Sequence, residues 1–284
     1  MSSDVDQLGI DSSGNIYASA NASGYGVWKY SSALVLDTSW GTSGEIDPPG
    51  TNTRGLSVSP EGKVAAGVTG VSHFDATGTS LWTAEDSFSY GGVLIDPKTK
   101  NVFGYDAASP FGFRKFGKLD GTIIESGTVA GGGSASCSGT AIDRTNYTSP
   151  PQVYVHELHN TDRNLYAFDP DNLSNRIYKV TNSNFLGTNS RQSLAVDSSG
   201  NLYMAGSRKT GGFNGEDYSV IKIDSSDGSI LDVYDTGAAT KSIAIDSNDN
   251  IFVVGTASGG KILWKLNTSL VLQASLSTAV LNLS

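Results

Sequence analysis

A chain of 284 residues that is 38% hydrophobic and only 17% charged, with Gly at 34 positions, suits short strands joined by tight turns and excludes a fold of long Ala/Glu/Lys/Leu-rich helices. The net charge of −9, the pI of 4.7 and the lack of any Lys/Arg cluster beyond Arg114-Lys115 argue against a nucleic-acid partner and an anionic membrane surface. The single cysteine, Cys137, excludes an intramolecular disulfide and zinc sites built from cysteine pairs, and no apolar run is long enough to span a bilayer.

The first residues, Met1-Ser2-Ser3-Asp4-Val5-Asp6, are acidic and polar and carry neither a basic region nor an apolar core of the secretory kind, so the expectation is a chain not exported by the general secretory route. From there three short patterns recur in fixed order. The first is an apolar pair around one small residue, usually closed by Asp: Leu8-Gly9-Ile10-Asp11, Leu56-Ser57-Val58-Ser59, Val93-Leu94-Ile95-Asp96, Thr140-Ala141-Ile142-Asp143, Leu194-Ala195-Val196-Asp197 and Ile243-Ala244-Ile245-Asp246. Such alternation is a half-buried strand that lets another backbone come close.

The second pattern is a polar residue, an aliphatic and usually an aromatic: Asn15-Ile16-Tyr17, Lys63-Val64-Ala65, Asn101-Val102-Phe103, Gln152-Val153-Tyr154, Asn201-Leu202-Tyr203 and Asn250-Ile251-Phe252. Turns such as Asp197-Ser198-Ser199-Gly200-Asn201 separate the two patterns. Asp and Asn there bond their own backbone and Gly supplies positive φ, which makes each pair a hairpin. The third pattern is a short apolar strand, with Lys next to last in four copies: Val27-Trp28-Lys29-Tyr30, Val71-Ser72-His73-Phe74, Phe113-Arg114-Lys115-Phe116, Leu165-Tyr166-Ala167-Phe168, Val220-Ile221-Lys222-Ile223 and Leu263-Trp264-Lys265-Leu266. A polar turn and a fourth strand follow, as in Asp75 to Trp82 and Asp224 to Tyr234.

Six copies of this unit, each roughly 40 to 50 residues long, predict an all-β, six-bladed β-propeller with four antiparallel strands per blade. A four-stranded sheet that is apolar on both faces needs a neighbour on each side, and stacked twisted sheets supply it. The blades are expected at about 5–50, 51–86, 87–130, 131–186, 187–238 and 239–284, within a single domain over 1–284. The first and last blades each hold all four strands, so no strand exchange at the seam is required. The surplus apolar tail Thr278 to Leu283 reads as a clamp.

The stretch Gln192 to Tyr203 resembles the repeat of bacterial β-propeller-repeat proteins and their six-bladed NHL-like relatives, and the turn Phe74 to Trp82 resembles quinoprotein-type propeller repeats. The resemblance spans nearly the whole chain but implies the blade and not an activity. Quinoprotein dehydrogenases carry more blades and usually a vicinal cysteine pair, both missing here, so no quinone or other cofactor is carried over.

The candidate sites are few. The turn Asp and Asn residues, including Asp246-Ser247-Asn248-Asp249-Asn250, read as turn caps in preference to calcium ligands, because the closing Glu of a calcium loop is absent. His156-Glu157-Leu158-His159 is one residue short of the zinc-protease spacing, and on a strand its two histidines point to opposite faces. His73, His156 and His159 are therefore read as packing or surface residues, Cys137 as a buried inert thiol, and no metal site is expected. Gly131-Gly132-Gly133-Ser134 lacks the Lys-Ser/Thr ending of a phosphate loop. The repeated lysines Lys29, Lys115, Lys222 and Lys265 are expected to lay their stems over apolar neighbours with the ammonium in water.

One constellation points to a ligand. Arg54, Arg191 and Lys241, with Gln7 and Gln192, stand just before first strands, where a propeller opens its central channel, and three cations there suit a carboxylate, a phosphate or an acidic side chain. No catalytic residue is assigned. The expectation is a non-enzymatic binding or assembly protein, foremost a bacteriophage tail or capsid-decoration component that meets other virion proteins or a host-surface glycan. The composition, rich in Gly, Ser, Thr and Asn and starting its first blade beside Met1, motivates that reading. The alternatives are a propeller lyase or hydrolase acting at the channel opening, and an extracellular recognition module.

Overall fold

The computed structural model describes residues 5–20, 26–49, 55–106, 112–128, 135–143, 152–159, 162–187, 193–258 and 261–277. Arg54, Arg191, Gln192, the Gly131–Ser134 stretch and the 278–283 tail lie outside them. The fold is all-β: six blades, each of four antiparallel strands, of the β-propeller class. No helix occurs among the described residues. The chain divides into two compact units, Met1–Cys137 and Ser138–Ser284.

In the first unit, blade one consists of β1 (Val5–Ile10), β2 (Ile16–Ala20), β3 (Val27–Tyr30) and β4 (Glu45–Ile46), in that order. Blades two and three share a six-stranded sheet made of β5 (Gly55–Val58), β6 (Val64–Phe74), β7 (Ser80–Ile95), β8 (Val102–Asp106), β9 (Gly112–Phe116) and β10 (Ile123–Thr128). Two strands serve twice. The start of β6 pairs with β5 (Val58 opposite Val64) and its end with β7 (Val71 opposite Ala84). The start of β7 completes blade two, and its end, Tyr90 to Ile95, opens blade three against β8. The expected boundary at residues 86 and 87 thus falls inside a continuous strand. The reason is local: neither Gly nor Pro occurs between Gly78 and Gly91, so nothing punctuates the extended backbone.

The second unit has three blades of the simple kind. They are β11 (Ala135–Ile142), β12 (Val153–His159), β13 (Asp162–Asp169) and β14 (Asn172–Thr181); β15 (Leu194–Val196), β16 (Leu202–Phe213), β17 (Glu216–Ile223) and β18 (Ile230–Tyr234); and β19 (Thr240–Ile245), β20 (Ile251–Ser258), β21 (Lys261–Leu266) and β22 (Leu272–Ser277). Every blade is assembled from consecutive strands, as the repeat requires.

The cores lie between successive sheets. In the first unit Tyr17, Val27, Trp40 and Ile46 of blade one pack with Leu56, Val64 and Phe74 of blade two, and Tyr17 meets Trp40 edge-on at 5.5 Å. Val71 and Trp82 of blade two pack in turn with Val93, Val102 and Phe116 of blade three. In the second unit Tyr154 and Leu165 share a core with Leu194, Leu202 and Met204, while Tyr203 and Val220 share another with Ile243, Val253 and Trp264. Each middle blade therefore buries both faces, which is why its strands read as nearly continuous apolar runs. Trp82 also donates its Nε1–H to the Lys118 carbonyl at 3.1 Å, and its ring lies where only a glycine, Gly121, leaves room.

Candidate binding face of the second unit

The repeated turn acids are consumed by their own turns. Asp197 accepts the Ser199 and Asn201 amides on Oδ1 at 3.0 and 2.8 Å, and the Asn201 side chain and Tyr203 hydroxyl on Oδ2 at 2.8 and 2.9 Å. Asp11 repeats the set with Ser13, Asn15 and Tyr17. Asp246 does so with Asn248 and Asn250, and there Asp249 takes the positive φ (60°) that Gly14 and Gly200 supply elsewhere. Asp249 is engaged as well: Ser198 of the neighbouring turn donates its amide at 2.8 Å and its hydroxyl to the two carboxylate oxygens. Capping accounts for the Asp11, Asp197 and Asp246 carboxylates, and Asp249 bonds across to the next blade's turn. No cluster of three or more potential metal ligands occurs among the described residues.

The lysine column departs from its expected role. The register sets each lysine opposite the aromatic of strand two: Tyr17 opposite Lys29, Phe103 opposite Lys115, Tyr203 opposite Lys222, Phe252 opposite Lys265. Each ammonium then sits over that ring, at 5.8, 5.8, 5.6 and 5.7 Å from the centroid. Blade four moves the device one strand outward, with Lys179 5.5 Å from the Tyr166 ring. The ammonium of each thus gains a π-face, and Lys115 is only 6% exposed.

The histidines whose side chains are described are structural in placement. His73 and His156 are fully buried, the first 5.3 Å from Trp82, the second edge-on to Phe185 at 6.3 Å. Burial, helped by the Lys63 charge, lowers His73 to about 4; burial, helped by Arg163, lowers His156 to about 3. Both are neutral bases at physiological pH. The side chains of His159 and Cys137 lie outside the described residues.

Of the three cations expected at the channel opening, Arg54 and Arg191 lie outside the described residues and Lys241 alone is placed. It is exposed, and it lies within β19 and not before it: the ladder shifts register between Thr240 and Ser242, so Lys241 is the extra residue of a bulge. Gln7, within β1, is 4% exposed.

The end of the second unit where β16 turns into β17 carries cations that belong to no repeated column. Arg208 is neutralised twice over, by Asp217 at 2.7 Å and by Asp235 at 2.6 Å, and its hydrogen bonds hold the Asp235 carboxyl below the usual carboxylate range. Arg163, at the start of β13, and Lys209, in β16, are treated differently. Their hydrogen-bond partners are main-chain carbonyls of the segment that joins blades four and five: Arg163 donates to Phe185 and Lys209 to Ser183. Tyr218 donates to the intervening Asn184 carbonyl at 2.8 Å, and the Ser207 amide to that of Gly187 at 2.6 Å. Four carbonyls within five residues thus face blade five and β13. Burial first, and the nearby Arg163 charge second, hold the Lys209 ammonium below the usual lysine value.

No protein family model matches the sequence, and no curated protein matches it. Solved structures do resemble the fold. Hydrazine synthase of Kuenenia stuttgartiensis aligns with a TM-score of 0.68 over 93% of this chain and 76% of that one at 10% identity, and BamB from Moraxella catarrhalis with 0.58 over 98% and 90% at 14% identity. The Dos1 propeller aligns with 0.57 over 96% and 70% at 12% identity. No helix among the described residues is long and apolar enough to cross a membrane. At these identities the likeness is one of fold, and the chain is similar to β-propellers of otherwise different names.

Proposed function

We propose that this chain is a non-enzymatic binding and assembly protein whose blades present contact surface to partner proteins. The observation that carries the reading is the aliphatic surface of the outer strands and their turns. In the first unit Leu119 is 82% exposed, Ile123 48% and Ile124 54%, all around one turn, with Leu81 (42%) beside Trp82, whose ring packs on that turn. In the second unit Leu231, Val271 and Leu272 are similarly exposed. Isolated exposed aliphatics are ordinary, but several gathered at one turn are the mark of a contact patch. The turn carboxylates, tied up in capping, and the neutral buried histidines support a role in contact over one in acid–base chemistry.

The finer reading is a virion component of a bacteriophage, motivated by the low-charge composition rich in Gly, Ser, Thr and Asn. In the same reading Lys241, raised on its bulge, meets an acidic group of the partner. In-cell crosslinking of the tagged chain, followed by identification of its neighbours, tests the binding role. The chain's presence in purified particles tests the virion assignment, and its absence removes it. Turnover of lactones or uronides by the purified chain, or stoichiometric bound metal, would replace the binding role with the enzymatic one.

A further inference from the structure

We propose that Arg163 and Lys209 together form a recognition site for a carboxylate of an acidic partner segment, on the end of the second unit where β13 and β16 meet the segment joining blades four and five. The inference rests on the reading of the chain as a partner-binding propeller and names the chemistry of the partner.

Two cations stand close enough for one to destabilise the other's charge, and among the described residues neither is paired with a carboxylate. The contrast lies one residue away in the chain: Arg208 is given two carboxylates by β17 and the end of blade five. The sheet end is therefore rich in acids, yet among the described residues the Arg163–Lys209 pair meets carbonyl oxygens alone. A carbonyl dipole orients a cation without cancelling its charge, so a local excess of positive charge remains on a protein whose net charge is −9.

The donors are already positioned. The guanidinium has five N–H groups and the ammonium three, and each side chain spends one hydrogen bond on the joining segment. Arg163 is anchored through Nη1 to Phe185 and lies against Gly187, with its guanidinium 3.4 to 3.6 Å from where a side chain there would begin. Both residues are half-buried, which weakens solvent screening of whatever they bind. Arg163 also shares its sheet face with the neutral His156 and lies near Tyr218, neither of which offers it a negative charge. A carboxylate placed between the two cations would remove their mutual repulsion, a gain that an exposed single lysine such as Lys241 does not offer.

The test uses the full chain and a fluorescein-labelled hexaglutamate peptide, read by anisotropy at low ionic strength. Lys209→Glu is expected to weaken binding by about tenfold or more, because it replaces an attraction by a repulsion. Its melting temperature should hold or rise, since the Arg163–Lys209 repulsion is gone. Arg163→Gln should weaken binding by a similar factor, and Arg208→Gln should leave it within about twofold. Affinity in Lys209→Glu equal to that of the unmodified chain, or no binding by the unmodified chain at millimolar peptide, would overturn the site. Displacement of the peptide by an equal concentration of inorganic phosphate would overturn its assignment to a protein carboxylate. A crosslinked neighbour retained by Lys209→Glu sinks this site alone, whereas the lack of any neighbour sinks the binding role itself.

Discussion

Lys222 stands directly across the ladder from Tyr203, its Nζ 5.6 Å from the ring centroid, and reaches past the ring to the Thr268 carbonyl at 3.0 Å. The same tyrosine donates to Asp197, so an acid, a phenol and an ammonium follow one another through blade five. The device returns as Asp11, Tyr17 and Lys29, where Lys29 also meets Asp37 at 3.2 Å. Replacing Lys222 with Met keeps the stem and removes the charge and the hydrogen bond. We expect a loss of about 1 kcal/mol in urea unfolding, with a coupling of ~0.5 kcal/mol or more to Tyr203→Leu in a double-mutant cycle. Simple additivity of the two changes would show that the ammonium gains nothing from the ring.

Asp197 is 2% exposed and accepts four hydrogen bonds. Its truncation to Ala leaves the two turn amides and the Asn201 amide group in search of acceptors, while the Tyr203 hydroxyl retains the Thr268 carbonyl at 3.1 Å. We predict destabilisation of about 2–3 kcal/mol, since orphaned buried donors each cost more than a typical hydrogen bond gains. Asp197→Asn, which retains one acceptor oxygen, should fall between the two. A calcium-dependent melting temperature in the unmodified chain would instead return these carboxylates to the role of ligands.

The buried histidines predict an acid-labile fold. A base whose folded pKa is lowered binds its proton first in the unfolded chain, so stability is complete above the unfolded value of 6.5 and falls as the pH drops towards the folded value, about 4 for His73. Between pH 7 and pH 5 His73 alone accounts for a loss of about 2 kcal/mol, and His156 adds to it with the same sign. The turn acids with lowered values, such as Asp75, Asp224 and Asp246, lose their contribution only at lower pH, below the ordinary carboxylate value of 3.8. His73→Gln, compared with the unmodified chain by urea unfolding at both pH values, should recover most of that 2 kcal/mol, to within about half. An unchanged pH slope in the variant would mean that His73 is protonated in place.

The sequence carries the blades because each is written in short-range chemistry. An acid, two small polar residues, a glycine and an asparagine make a capped turn wherever they fall, and the strands beside it need only alternate. The lysine–aromatic pairs were present as two separate columns, but linking them takes the register across a hairpin, which the columns themselves do not state. Arg163 and Lys209 left no such trace. They recur in no other blade, and their partners are the main-chain carbonyls of Phe185 and Ser183, which any residue possesses. Lys241 was visible, but its bulge was not, since a one-residue register shift has no signature in Thr240-Lys241-Ser242.

The exposed aliphatics at the blade-three turn separate binding from stability. Leu119 is at the tip of the turn closed by Gly117 and Thr122, at 82% exposure, and Ile123 and Ile124 beside it are exposed as well. Trp82 and Gly121 beneath it are packed, so the turn has a fixed shape on which these side chains are displayed. Leu119→Asp should therefore change the unfolding free energy by no more than about 0.5 kcal/mol. If the turn is a contact patch, the same substitution strips from the crosslinking pattern the neighbours joined through Lys118, because a charge placed in a desolvated interface without a partner costs several kcal/mol, on the order of 3–5. A large loss of stability would show that Leu119 serves the fold, and an unchanged pattern would move the contact surface away from this turn.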